Sequence, residues 1–428
     1  MNQIGEIAGP LPQIEAAELE RRLLDPDVPD EQIRPYLMAN EAVSGAFRPE
    51  IRAVPQQVVE GMVEAAVALA SLNGLDRWRR MQRYRRRSRD GSVLRIVSEG
   101  DSWFQYPFLL TDVIDWLSGP YAIMSLDAAG DLLSDIVRQG ELITAVVQER
   151  PKAVLLSGGG NDLLGAANLA RALRRFEPGL GAGDYLGRAF DENLGVVLDG
   201  YRQLFARLRQ VAPQVPVLTH VYDYALPAGG RWLGQPMQAL GISDAGLQRA
   251  IIRAIVDRFH KALTEVAAGF PQVRVIDTRG TVAAGQWHDE LHPTDAGYRR
   301  VAALFVEAIS KALGMAVPPL GGVAEMAVVE AAPEAVPRPD TAPFDEPVLL
   351  REIGRRAALA ECGDLSSPSE PMVFPSSISG VYPELEEKGR AIVAGFASSG
   401  QIESGSADPT QAALIQIVLS RRGAADGP

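Results

Sequence analysis

The sequence predicts an α/β domain built on a parallel sheet, preceded by a helical segment and followed by a small C-terminal segment. Two observations carry this reading. Five apolar runs of strand length recur from residue 93 onward: VLRIV (93–97), YAIMSL (121–126), AVLLS (153–157), VPVLTHV (215–221) and VRVI (273–276). Amphipathic stretches separate them, as in LLSDIVRQGELITAVVQ, where Leu132, Leu133, Ile136, Val137, Ile143, Val146 and Val147 share one helical face. Strands that alternate with helices need crossover connections, and crossovers leave the strands parallel. A last helix is expected from Thr294, its N-cap, with Val301, Leu304, Phe305, Ala308 and Ile309 at helical spacing.

Composition shifts set the boundaries. Residues 1–91 read as helical, punctuated early by Pro26, Pro29 and Pro35, with VVEGMVEAAVALASL (58–72) as the clearest helix. This segment closes on RWRRMQRYRRRSR, with eight arginines between Arg77 and Arg89. Two readings are open: the run makes a weak contact with an anionic surface, or its arginines pair with the chain's own carboxylates. The α/β domain spans 92–315. Seven prolines between Pro318 and Pro347 mark 316–347 as a linker, and 348–428 read as a small acidic module without a catalytic signature.

A chain of 428 residues is long enough for more than one module. Its formal net charge of −12 speaks against nucleic acid as a partner, because a phosphate-binding surface needs a cationic excess. Cys362 is the single cysteine, so no internal disulfide forms. Neither a secretory leader nor an apolar run of the roughly 20 residues that span a bilayer is visible, which makes a cytoplasmic location the expectation.

In open parallel sheets, reactive groups gather beyond the carboxyl ends of the strands. Ser98-Glu99-Gly100-Asp101-Ser102-Trp103 follows the first strand candidate, Asp127-Ala128-Ala129-Gly130 the second, and Gly158-Gly159-Gly160-Asn161-Asp162 the third; Trp287-His288-Asp289-Glu290-Leu291-His292-Pro293 lies between the fifth and the last helix. A serine hydroxyl needs an adjacent base, which a neutral imidazole supplies near pH 7. That makes Ser102 the candidate nucleophile and His292 its base, with Asp289, three residues earlier, in reach of the other ring nitrogen. Acyl transfer also needs donors for the developing oxyanion. The backbone N–H of Ser102, the backbone N–H of Gly130 and the side chain of Asn161 are the candidates.

These blocks, Gly100-Asp101-Ser102, Gly130, Gly159-Gly160-Asn161-Asp162 and Asp289-Glu290-Leu291-His292-Pro293, resemble in kind and order the four sequence blocks of SGNH (GDSL-type) hydrolases. The resemblance covers about residues 92–315. It implies a flavodoxin-like three-layer α/β/α sandwich with a five-stranded parallel sheet, no metal or organic cofactor, and a lipase- or esterase-like activity. Under it Ser102, Gly130, Asn161 and His292 are catalytic or oxyanion-hole residues, and Asp289 completes a triad. Trp103 stands where the commonest form has leucine.

Other readings of the same residues remain. Ser102 is also a candidate N-cap for the helix containing Leu109 to Trp116. Gly158–Gly160 suggest a phosphate cradle, although no Lys-Ser/Thr follows. His288 and His292 suggest a metal pair, which Pro293 disfavours by breaking the helix such a pair needs. His220 is read as structural or as lining the cleft, and Asp101 and Asp162 as holding their loops. Trp103, Phe104 and Tyr106 are expected to bind substrate, with core packing the alternative. The Gly/Pro-rich stretch from Tyr222 to Ile242 is expected to form a loop or lid over the site. Expected partners are a small ester, a lipid or an acylated glycan. The alternatives are an acyltransferase or glycan deacetylase using the same residues, thioester cleavage, or a binding or scaffold module on a hydrolase fold.

Overall fold

The computed structural model describes residues 13–40, 44–46, 49, 51–54, 58–59 and 72–320. The linker beyond Leu320, the C-terminal module and most of the helix expected over 58–72 lie outside these residues.

Five parallel strands form the central sheet: β5 (Arg95–Glu99), β6 (Ala122–Ser125), β7 (Ala153–Leu156), β8 (Val217–His220) and β9 (Val273–Ile276), in the order β6-β5-β7-β8-β9. This is the 2-1-3-4-5 order of flavodoxin-like sheets, whose switch point falls between the first and third strands, here β5 and β7. All residues of β7 and β8 are buried, as expected of strands covered on both faces. The first strand runs two residues past its expected end: Ser98 and Glu99 are buried despite their polarity, and the Ser98 hydroxyl donates to Asp127 Oδ2 at 2.6 Å.

Helices cover both faces. On one, α4 (Leu133–Gln139), α5 (Glu141–Glu149) and α10 (Ala245–Ala267) pack against the long α8 (Arg188–Val211). On the other, α11 (Asp295–Leu313) crosses β8 and β9 and packs on α3 (Val113–Leu117). Thr294 caps α11, accepting from the Gly297 N–H. The cap of α3 is Asp112, in a capping box with Asp115, so Ser102 does not serve that helix.

The N-terminal segment has its own small core. Helices α1 (Ala16–Leu24) and α2 (Leu72–Arg87) are joined there by the two-stranded pairings β1–β4 (Ile14–Glu15 with Val58–Val59) and β2–β3 (Leu37–Ala39 with Ile51–Ala53). Leu19, Leu23, Ile33, Tyr36 and Leu72 pack together, and Phe108 from the α/β domain inserts among them.

The arginine run of α2 lies at this junction, and six of its eight arginines bond to the protein itself: Arg77, Arg79, Arg80, Arg83, Arg86 and Arg87. Arg79 is fully buried and donates to the carbonyls of Arg22, Leu23, Asp25 and Val28 and to Asp30. Arg80 reaches Asp76, Asp112, Asp115 and the carbonyl of Phe104. Arg79 and Arg80 thus form a buried ion-pair spine, and the six bonded arginines favour the second of the two readings, pairing with carboxylates and carbonyls of the same chain.

Removing Arg80 strands three carboxylates in a dry environment. Arg80→Met is expected to lower the unfolding free energy by about 3–5 kcal/mol, measured by chemical denaturation. A change below about 1 kcal/mol would contradict the spine assignment.

Candidate active site

Beyond β5 the chain turns sharply. The N–H groups of Phe104 and Gln105 both return to the Asp101 carbonyl at 2.9 Å, making one helical turn that starts beside Ser102. Ser102 sits at the carboxyl end of the strand next to the switch point. Its Oγ lies 2.9 Å from His292 Nε2, and His292 Nδ1 lies 2.9 Å from Asp289 Oδ2 and 3.0 Å from Oδ1.

The loop carrying the imidazole is tightly wound. Asp289 Oδ1 accepts the backbone N–H groups of Leu291 and His292 at 2.7 Å, and the His288 N–H returns to the His292 carbonyl at 2.8 Å. Burial alone would raise the Asp289 carboxyl, but the charge and hydrogen bonds of His292, with the two backbone donors, outweigh it and hold the group down to about 2. Asp289 is thus an anion at neutral pH, able to fix the Nδ1–H tautomer and leave Nε2 as an acceptor toward Ser102. Tyr106 packs edge-on against the His292 ring at 4.8 Å.

The three candidate oxyanion donors lie on turns tied to one another. Gly130 has φ +93°, a left-handed conformation that glycine adopts without strain. Its loop is fastened to the Ser102 turn by the Ala128 N–H to Gly100 carbonyl bond (2.8 Å) and by Gln105 Oε1, which accepts from the Ala129 N–H. Asn161, in the short helix α6 (Gly160–Leu164), donates through Nδ2 to the Asp131 carbonyl at 2.6 Å. That bond orients the amide and occupies one of its two N–H groups.

Trp103 and Phe104, expected to bind substrate, are packed inside the domain. Trp103 lies edge-on to Tyr222 and Tyr298 and donates from Nε1 to the Leu291 carbonyl. Phe104 stacks on His220 at 5.6 Å and meets Phe305. Both rings therefore play the core-packing role held as the alternative. Among the described residues, no group of three or more His, Cys, Asp or Glu is arranged to hold a metal.

Sequence reasoning passed over two groups. Glu290, between Asp289 and Leu291, accepts five backbone N–H groups: Ala228, Gly230 and Gly234 on Oε1, Trp232 and Leu233 on Oε2, at 2.9–3.0 Å. The stretch expected as a lid is thereby pinned to the loop that carries His292. Its only sequence signal is a carboxylate in one segment and a glycine-rich loop about 60 residues away in another. The second is the pair Ser157 and Tyr222, which complete a buried chain behind Ser102 with Asp101, expected to hold its loop, and His220: Asp101 accepts from Ser157 Oγ (3.0 Å) and from Tyr222 Oη, and Ser157 Oγ lies 2.9 Å from His220 Nε2.

No curated protein matches the chain. A family model described as GDSL-like lipase/acylhydrolase matches residues 98–300. The chain carries a GDSL-like lipase/acylhydrolase domain. Solved structures similar to this chain include an extracellular lipase from Streptomyces rimosus (15% identity, TM-score 0.36, covering 50% of this chain and 100% of that one). Phospholipase A1 from Streptomyces albidoflavus is 13% identical (TM-score 0.35, 50% and 99% covered). A GDSL-like lipase from Bacteroides ovatus is 15% identical (TM-score 0.34), with 53% of this chain covered, and the match spans 55% of that chain's length. Among the described residues, no helix is long and apolar enough to cross a membrane.

Two predictions test the supports of this GDSL-like site. Glu290→Ala leaves five N–H groups without their acceptor, and an unsatisfied buried polar group costs about 1–3 kcal/mol. Limited proteolysis within 226–235 is expected to speed up by about tenfold or more relative to wild type; an unchanged cleavage rate would show that the loop is held by other means. Burial pushes the His220 imidazole down to about 3. The unfolded chain takes up a proton near pH 6.5 that the folded chain refuses, so this residue's contribution to stability is present above pH 6.5 and is lost progressively as pH falls toward about 3. His220→Asn is therefore expected to flatten the loss of stability between pH 6.5 and 4.5 by up to about one proton. Identical slopes for the two proteins would contradict the buried, neutral imidazole.

Proposed function

We propose that the domain hydrolyses carboxylic esters through an acyl-serine intermediate, with Ser102 as nucleophile, His292 as general base and then general acid, and Asp289 as the carboxylate that orients and stabilises the imidazolium. The observation that carries this reading is the continuous chain Asp289–His292–Ser102, with 2.9 Å at each link.

His292 Nε2 takes the Ser102 proton as Oγ bonds to the ester carbonyl carbon. The tetrahedral intermediate collapses, the C–O bond breaks, and the proton passes from Nε2 to the leaving alkoxide. Water, deprotonated by the same nitrogen, then attacks the acyl-serine, releasing the acid and returning the proton to Oγ. In both halves the N–H groups of Ser102 and Gly130 and the free N–H of Asn161 are directed at the oxyanion, where one such donor is worth about 3 kcal/mol. Substrates fitting this chemistry are small-molecule esters, lipids or acylated glycans. No step calls for a metal or an organic cofactor.

The test is a chain-length panel of esters hydrolysed by wild type, Ser102→Ala and Asp289→Asn. Ser102→Ala is expected to reduce turnover to background, and Asp289→Asn to lower kcat by about a thousandfold or more, through the wrong imidazole tautomer. Equal turnover by wild type and Ser102→Ala would defeat the proposal.

A further inference from the structure

Tyr222 has no part in the scheme above, yet its hydroxyl touches both turns that carry side-by-side donors. We propose that Tyr222 is a positioning residue: its single hydroxyl, bonded at once to Asp101 and to Gly160, sets the separation of the Ser102 and Asn161 turns so that their N–H groups converge on one oxygen. This inference rests on the ester-cleaving reading.

Tyr222 Oη donates to Asp101 Oδ2 at 2.5 Å and accepts the Gly160 N–H at 3.0 Å. The Gly160 N–H can only donate, so Oη accepts there and its own proton is left for Asp101 Oδ2. Asp101 immediately precedes Ser102, and Gly160 immediately precedes Asn161. The two bonds therefore bridge the nucleophile turn after β5 and the turn after β7 one residue behind each donor. Burial pushes the phenol well above its ordinary value, so the proton stays on Oη.

The rest of the residue is held as firmly. Its backbone has φ +70°, a costly conformation for a tyrosine, which persists only where the surroundings enforce it. The Thr278 hydroxyl donates to the Tyr222 carbonyl at 2.8 Å, and the Tyr222 N–H donates to His220 Nδ1 at 3.3 Å. That second bond leaves the His220 proton on Nε2, facing Ser157 Oγ, whose own proton goes to Asp101 Oδ1. Trp103 buttresses the ring edge-on at 5.2 Å. A Cβ on Gly160 would stand 2.8 Å from Tyr222 Cζ, so only glycine allows this approach. Oxyanion donors are effective only within about 0.5 Å of their working geometry, which is the tolerance a rigid bridge supplies.

A double-mutant cycle reads the coupling: kcat and KM for wild type, Tyr222→Phe, Asn161→Ala and the double variant on the best ester of the panel, with melting curves for each. Tyr222→Phe is expected to lower kcat about 10- to 100-fold, with KM within about twofold, because the missing contact matters in the transition state. In the Asn161→Ala background the same change is expected to cost less than about threefold, since the donor it positions is gone. Equal losses in both backgrounds, or a raised KM with kcat intact, would overturn the proposal. Should Tyr222→Phe melt below the assay temperature, Thr278→Val loosens Tyr222 without touching Asp101 or Gly160. The expected result is then a smaller kcat loss that again disappears in the Asn161→Ala background, and its persistence there would overturn the proposal. Wild type no more active than Ser102→Ala would remove the ester reading itself and this inference with it, whereas an inactive Ser102→Ala with additive Tyr222 and Asn161 losses defeats the Tyr222 bridge alone.

Discussion

A hydrogen bond between Ser102 Oγ and His292 Nε2 joins residues 190 positions apart, and the architecture is arranged around that contact. Both side chains are buried, where a polar contact is stronger than in water and an unmade one is costly. The sheet supplies the first condition: the strand preceding Ser102 lies inside the sheet, and the loop after β9 returns over the same carboxyl-end surface before α11. The second condition is that neither loop moves. Asp289 meets it on the imidazole side with two backbone bonds, and Asp101 meets it on the hydroxyl side by accepting from Trp103, Ser157 and Tyr222.

These supports share one physical device, a carboxylate sunk among N–H and O–H donors. Glu290 gathers five backbone amides from the neighbouring loop. Asp223 accepts from Gly280 and Val282 in the same region. Buried charge is expensive unless every lone pair is met, so each of these carboxylates fixes several loop segments at once. The N-terminal segment enters the same scheme: Arg80 bonds the Phe104 carbonyl, two residues beyond Ser102, and Phe108 plugs the segment's own core.

Features with a local cause could be read from the sequence, and features with a distant cause could not. The strands were legible because a sheet covered on both faces leaves unbroken apolar runs; VRVI (273–276) coincides with β9 residue for residue. Gly100-Asp101-Ser102, Asn161 and Asp289 to His292 stood out because short spacings carry their chemistry. Ser98 was lost from the first strand because its burial depends on a partner, Asp127, on the next strand end. Trp103 and Phe104 looked like a pocket wall from their place beside Ser102, but the turn that exposes the serine to its imidazole drives both rings into the core. The arginine run left two readings open, since its carboxylate and carbonyl partners lie up to 57 residues away along the chain. Tyr222 and Glu290 had no local signature, because each acts by bonding a different strand-end loop.

The most direct measurement is the structure of the domain inactivated by a fluorophosphonate ester. The account predicts phosphorus bonded to Ser102 Oγ and a phosphoryl oxygen about 3 Å from the backbone nitrogens of Ser102 and Gly130 and from Asn161 Nδ2. An adduct on another residue, or a phosphoryl oxygen turned away from all three nitrogens, would contradict it.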